Sequence, residues 1–366
     1  MNFNIKRDEL LPGLQRVGGN VDRRQTLPIL SNLLFNIKPN LLSITATDME
    51  VELIVDIDVK LEQTTRLTLP ARKLLDICRA LPEGAALEFD IQNEKALIKS
   101  GKSRFTLAML PAQEYPVIDI TDETTDFSIN QEKLINLLAN TQFAMAQQDV
   151  RYYLNGLMLE VSSNNLKAVA TDGHRLAFDE TEIKAATNET KQIIVPRKGV
   201  TELMRLLQAG QDDANIKVSK NHIQVRSGNL SFTSKLIDGK FPDYQRVIPE
   251  LSEAVVIANR EELKDSLSRA SILSNEKYRG VRVVFNENAL HILAHNPDKE
   301  EAEEEVSVEY SGEEMEIGFN VSYLIDALST IKTEKVKLSV LDPNSSCLIT
   351  PEQKAHCQYV VMPMKL

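Results

Sequence analysis

A unit of roughly 125 residues occurs three times along this chain, and that repeat narrows the possible folds more than any single motif. In the first copy, FNIKRDELLPGLQRV reads as a short strand followed by a helix with Leu10, Leu11, Leu14 and Val17 on one face. TLPILSNLLFNIK and LLSITATDMEVELIVDIDV alternate like paired strands. PARKLLDICRAL is a second helix with proline near its start, where a missing N–H is harmless. ALEFDIQ, KALIKS and SRFTLAML are three further strands. The same order returns at Phe127 as FSINQEKLINLLANTQF, YLNGLMLEV, LKAVATDGHRLAF, VPRKGVTELMRLLQAG, NIKVSK, HIQVRS and LSFTSKLI. It returns again from Val255 as VIANREELKDSLSRASIL, VRVVFNE, LHILAHN, FNVSYLIDALSTI, KVKLSVL, SCLIT and CQYVVMPMKL.

Position fixes the alignment. Leu10, Leu134 and Leu263 hold one place in the first helix, 124 and 129 residues apart. Asp48, Asp172 and Asn296 close the same strand at intervals of 124, and Phe105, Phe232 and Tyr359 sit in the last strand at intervals of 127. About eight strands and two helices per copy, with strands in runs, predict an α+β fold. Each copy is expected to carry its helices on one side of an antiparallel sheet. Three domains follow, at 1–122, 123–252 and 253–366, with boundaries near 120–125 and 249–253 too short to act as long linkers.

The most specific stretch is 148–176. Its halves, QDVRYYLNGLMLEV and LKAVATDGHRLAF, read as two strands of a hairpin around Ser162, Ser163, Asn164 and Asn165. Alternation would then point only one of Tyr152 and Tyr153 outward.

The formal net charge is −11, whereas a protein that grips phosphate tightly is normally basic. Either nucleic acid is not the partner, or the cations are gathered on one face of an acidic body. The six predicted helices carry Lys6, Arg7, Arg16, Arg72, Lys73, Arg79, Lys133, Arg197, Lys198, Arg205, Arg260, Lys264, Arg269 and Lys332. One basic helix face is ordinarily just solvated. Six in equivalent positions could make one cationic surface that holds phosphate without reading bases. In the helix after Asn259, Leu263, Leu267 and Ala270 mark the buried stripe, and Asn259 with Glu262 has capping spacing. Acid gathers instead at 300–305, where five of six residues are glutamate.

Catalysis finds little support. TDGHR groups Asp172, His174 and Arg175, but no nucleophile, Gly-rich phosphate loop, GxSxG, HExxH or CxxC accompanies it. His174, His222, His291, His295 and His356 lack metal-ligand spacing. Cys78, Cys347 and Cys357 read as reduced thiols, and no run of 18 apolar residues suggests a membrane span. No metal and no cofactor is expected, and a cytoplasmic location is. A scaffold that only gathers peptides is the remaining alternative.

QDVRYYLNG, VATDGHRLA, VPRKGV, FTSKL, FPDY, ILSNEK, RGVR, MEIGFNVSYL and YVVMPMKL resemble the bacterial DNA polymerase III β subunit family, the sliding clamps, along the whole chain. The resemblance implies a non-catalytic processivity factor of three similar domains. It implies a homodimer closed head to tail into a six-domain ring around double-stranded DNA, held without sequence specificity.

By position it places DNA contacts at Arg24, with Arg23 beside it, and at Arg72, Gln148, Tyr152 and Tyr153. It implies a pocket for short apolar peptides of the DNA polymerase III α subunit, the clamp loader, other polymerases and repair proteins. That pocket would use Leu154, Thr171, Gly173, His174, Arg175, Leu176, Pro242, Arg246, Val247, Asn320, Tyr323, Ser346, Val360, Met362, Pro363 and Met364. Met362 and Met364 would adapt to several partners, and His174, Arg175 and Arg246 would set peptide register. The implied subunit contact has Phe105, Leu107, Ile272 and Leu273 as its apolar part. Glu300 and Glu304 would face Lys73, Lys95, Lys102 and Arg104.

Overall fold

The computed structural model of the chain describes residues 1–19, 27–92, 94–120, 124–185, 187, 189–210, 212–249, 255–353 and 356–365. Each repeat supplies two helices among the described residues: α1 (Arg7–Gly18) and α2 (Ala71–Ala80), α3 (Gln131–Thr141) and α4 (Arg197–Leu206), α5 (Arg260–Ser271) and α6 (Val321–Thr330). Leu10, Leu134 and Leu263 are all buried, as are Leu267 and Ala270. The Asn259 side chain accepts the Glu262 amide at the start of α5, which satisfies one of the helix's orphan donors. Pro70 and Pro196 immediately precede α2 and α4.

The strands form antiparallel ladders, and these ladders cross from one repeat into the next. Contacts divide the chain into two compact units, Met1–Glu132 with Thr201–Leu236, and Lys133–Val200 with Ile237–Leu366. In the first unit, the strands Asn2–Lys6, Ala86–Gln92, Lys95–Ser100 and Ser103–Ala108 form a four-stranded sheet in that order. A second ladder there runs Thr125–Asn130, Asp213–Val218, His222–Ser227, Leu230–Lys235, Val51–Asp58, Leu41–Thr47, Asn32–Lys38, Thr65–Pro70. Leu230–Lys235, from the second repeat, thus pairs with Val51–Asp58 from the first.

The second unit holds a twelve-stranded sheet in which Arg175–Glu182 of the second repeat pairs with Gln358–Val361 of the third. Because both junctions are made of strand ladders, the middle repeat is shared between the two units.

The repeat reappears as chemistry. Asp48, Asp172 and Asn296 each follow the same strand, and each side chain accepts two backbone amides in the turn beyond it. The opening residue of three helices ties its helix to the end of the other helix region in its repeat. Arg7 Nε donates to Cys78 O, Arg260 Nε to Thr333 O, and Gln131 Nε2 to Asp212 O.

Several sequence expectations change. The segment LKAVATDGHRLAF is two strands, Asn165–Thr171 and Arg175–Glu182, because the Asp172 side chain builds a turn within it. TLPIL opens with a 3-10 turn, Pro28–Ser31, before its strand. QDVRYYL is likewise no strand. Tyr152–Leu154 is a 3-10 turn, and the strand begins at Gly156. The acidic run lies mostly in a strand, Glu301–Glu309, whose inward positions Val306 and Val308 are buried. Several helix cations are engaged within the chain. Arg7 and Arg260 are turned to backbone carbonyls, Lys264 pairs with Glu261, Arg205 with Glu202, and Arg269 with Glu304.

Candidate functional site

The best-built site lies in the second unit, around the turn Asp172-Gly173-His174. Thr171 Oγ1 donates to Arg175 O (2.6 Å) and accepts the Gly173 amide (3.1 Å), while Asp172 Oδ1 accepts the amides of His174 and Arg175 (2.9 and 3.0 Å). Gly173 has φ +89°, and a Cβ there would also lie 2.9 Å from the Arg151 guanidinium. That guanidinium is clamped by both Asp149 carboxylate oxygens and donates to Asp172 O. The pairing with Arg151 holds the Asp149 carboxyl down at about 2.

Arg175 turns its donors into the chain. Nε reaches Asp172, Nη1 pairs with Asp326, and Nη2 donates to Phe143 O. Its plane covers the Tyr323 ring at 4.5 Å and the Phe143 ring at 5.3 Å. Arg175 therefore acts as a strut beside Tyr323, with three of its five N–H donors bonded within the chain. Arg246 is the exposed cation, paired with Asp243 at 2.8 Å, and His174 is exposed beside the turn.

Beneath the turn, Leu154, Leu176 and Val360 join Ala146, Met158, Val169, Ile194, Phe241, Tyr244 and Leu348 in one buried cluster, with Val247 packed against it. Of these, Ala146, Met158, Val169, Ile194, Phe241, Tyr244 and Leu348 are not among the residues expected from the sequence. For Met158, Val169, Ile194 and Leu348 the only signal was inward alternation on their strands; Phe241 and Tyr244 lie off any strand. The last strand ends at Val361, and the chain beyond keeps its bonds piecemeal: Met362 N to His174 O (3.0 Å) and Met364 N to Gly318 O (2.8 Å). Pro363, between them, has no N–H to give. Met362, Pro363 and Met364 are half-buried, an apolar ledge beside the cluster. Asn320 caps α6 by accepting the Ser322 amide, Ser346 precedes the strand Cys347–Pro351, and both are half-buried. Pro242 is exposed. Met364 also lines a cavity of about 430 Å³ with Asn275, Tyr278, His295 and Lys365.

Arg24 and Arg23 lie outside the described residues. Arg72 is exposed in the first turn of α2. Gln148 is exposed at φ +54°. In the 3-10 turn, strict alternation does not apply. Tyr152 is 59% exposed, Leu154 is buried, and Tyr153 lies between, packed against the buried cluster with its ring 6.0 Å from that of Tyr152.

Of the residues expected at a subunit contact, Ile272 is 75% exposed, Lys73 is exposed, Phe105 and Leu273 are half-buried and Leu107 is buried. Glu300 accepts from Asn296. Glu304 is paired within its own chain. Arg269 of α5 grips both its oxygens at 2.8 and 2.6 Å and lowers its pKa. Alternation along Glu301–Glu309 puts Glu304 on the helix-facing side with Val306, and leaves Glu301, Glu303 and Glu305 exposed. Among the described residues, no cluster of ligand side chains suited to a metal ion is found.

Family comparison joins these observations. Residues 1–119, 128–243 and 245–365 match, in order, the N-terminal, central and C-terminal domains of the DNA polymerase III beta subunit. The chain belongs to this family. It is 48% identical over 367 residues to the beta sliding clamp of Pseudomonas aeruginosa and 46% identical over 367 residues to that of Escherichia coli K12. In both comparisons all of each chain is covered. Among solved structures, the DNA polymerase III subunit beta of P. aeruginosa superposes with a TM-score of 0.97 at 48% identity. Caulobacter crescentus pol III beta superposes at 0.94 and 34%, again with full coverage of both chains. The P. aeruginosa clamp has also been solved bound to griselimycin (TM-score 0.95, 48% identity, full coverage). Like its family, this sliding-clamp chain is a non-catalytic processivity subunit in DNA replication. No helix among the described residues is long and apolar enough to cross a membrane.

Proposed function

We propose that two copies of this chain join head to tail into a closed ring in the cytoplasm. Double-stranded DNA threads the ring, and the apolar surface at Leu176, Val360 and Met362 tethers partners by short peptides. The DNA polymerase III α subunit, the clamp loader, other polymerases and repair proteins are the partners. Arg24, Arg72, Gln148, Tyr152 and Tyr153 face the duplex. Contacts to phosphate without base readout let the ring slide.

The strand pairing between repeats carries the ring. Twice within the chain, the last strand of one repeat pairs with the fourth strand of the repeat before it, with Phe232 opposite Leu53 and Tyr359 opposite Ala177. Among the described residues, one last strand and one fourth strand remain without such a partner. Ser103–Ala108 is the edge of its sheet, and Glu301–Glu309 meets a strand on its second side only at Val308 and Glu309. Leu53, Ala177 and Ala302 hold the same place, opposite Ala46, Ala170 and Ala294. The third pairing therefore sets Phe105 opposite Ala302 of the partner subunit, and Arg104 opposite Glu303 of the partner subunit. Complementary charge supports it, since opposite charges face one another across the ladder.

The test is topological. Loaded onto circular DNA, the protein should stay bound, and should run off when the circle is cut. Equal retention on circular and linear DNA would reject the ring.

A further inference from the structure

The turn that precedes Leu176 is built a second time in this chain. In the first unit, Thr47 Oγ1 donates to Val51 O (2.9 Å) and accepts the Met49 amide (3.0 Å), and Asp48 Oδ1 accepts the amides of Glu50 and Val51 (2.9 and 2.8 Å). These four bonds are those of Thr171 and Asp172, moved back by 124 residues. Buried Leu30 sits on the 3-10 turn Pro28–Ser31 as buried Leu154 sits on Tyr152–Leu154. Lys235 N donates to Glu50 O (2.8 Å) as Met362 N donates to His174 O (3.0 Å). Thr233 stands opposite Glu52 as Val360 stands opposite Leu176. The backbone of the docking surface is therefore present twice, once in each unit.

At the three positions that form the apolar surface, the two copies carry different chemistry. Glu52 replaces Leu176, Thr233 replaces Val360 and Lys235 replaces Met362. Glu52 is only 3% exposed and Thr233 2%. The Glu52 carboxylate accepts the Ile118 amide at 3.1 Å, so the segment after Tyr115 is tied to this position. At the other site Leu176 has no acceptor to offer, and the Val247 amide bonds instead to Tyr244 O within its own turn. A leucine can be covered by a partner's apolar side chain with no polar loss. A carboxylate held by the Ile118 amide would lose its remaining access to water.

We propose that Glu52, with Thr233 and Lys235, is the specificity-determining set that keeps apolar peptides off this second scaffold, so that each chain carries one peptide site and not two. The inference rests on the reading of Leu176, Val360 and Met362 as a peptide site.

Calorimetric titration of the full-length chain with the tail peptide of its own replicative polymerase separates the two readings. The unaltered protein should bind one peptide per chain, and binding to none would reject the reading beneath the proposal. Glu52→Leu/Thr233→Val/Lys235→Met should bind two, and one of these should survive the further change Met362→Asp, which removes the first site. Glu52→Leu/Lys235→Met keeps the buried Thr233 hydroxyl and should also show a second, weaker event should the triple variant melt early. A folded variant that still binds one peptide per chain overturns the proposal.

Discussion

Arg175 looks like a cation set to orient a ligand, yet its donors end on Asp172, Asp326 and Phe143 O. Glu304 looks like part of an acidic face, yet Arg269, 35 residues earlier, binds it. Glu52 gave no signal at all, because a lone glutamate on an alternating strand reads as solvent-facing. Burial raises its pKa, and the Ile118 amide opposes that only in part. The folded chain therefore holds this proton more tightly than the unfolded chain does. The resulting stabilisation is complete below the unfolded value, about 4.3 for glutamate. It is lost as pH rises through the higher folded value. Glu52→Gln cannot ionise, so it should melt above the unaltered protein at pH 8 and lose that advantage near pH 4. Thermal melts at the two pH values check it, and a constant difference would remove the buried charge from the account.

At the scale of elements, the helices and most strands followed from their periods, and the misreadings share one cause. Tyr152–Leu154, Pro28–Ser31 and the turn at Asp172 interrupt apolar runs that alternate well enough to pass as strand. At the Asp172 turn, side chain to backbone bonds from Thr171 and Asp172 compete with the ladder and win, and Asp149 accepts the Arg151 amide just before Tyr152. The strand Glu301–Glu309 fails in the opposite sense, since charges depleted in strands hid its alternation. The Thr-Asp turn gives a test of its own. Met49 occupies the left-handed region at φ +74°, where Gly173 has +89°. An L residue is thus tolerated in the turn, and what sets Gly173 apart is Arg151 close above it. Gly173→Ala should cost about 1–3 kcal/mol in unfolding free energy, from backbone strain and the displaced guanidinium. Gly173→Ala/Arg151→Ala should recover part of it. Denaturant titration measures both, and no loss in the single variant would show the contact to be slack.

At the scale of the whole molecule, the proposed ring would close through the pairing that the chain uses twice internally. Arg104→Glu or Glu303→Arg should each weaken the dimer, and the two changes together should restore most of the loss. The coupling should be on the order of 0.2–1 kcal/mol, the worth of an opposite-charge pair across a ladder. It should shrink as salt rises. Sedimentation at low and high salt reads both effects, and additive losses from the two changes would reject the register.

The sequence by itself determined the repeat, the α+β class, the buried helix stripes and the family, because these depend on spacing and on long matched segments. Tertiary structure alone decided which of two like scaffolds is apolar and where Arg175 and Glu304 spend their charges. It also decided that the middle repeat is divided between two units. Those outcomes turn on groups far apart in the chain meeting where water is excluded. Spacing along one strand or helix carries no record of what its neighbour in space will be.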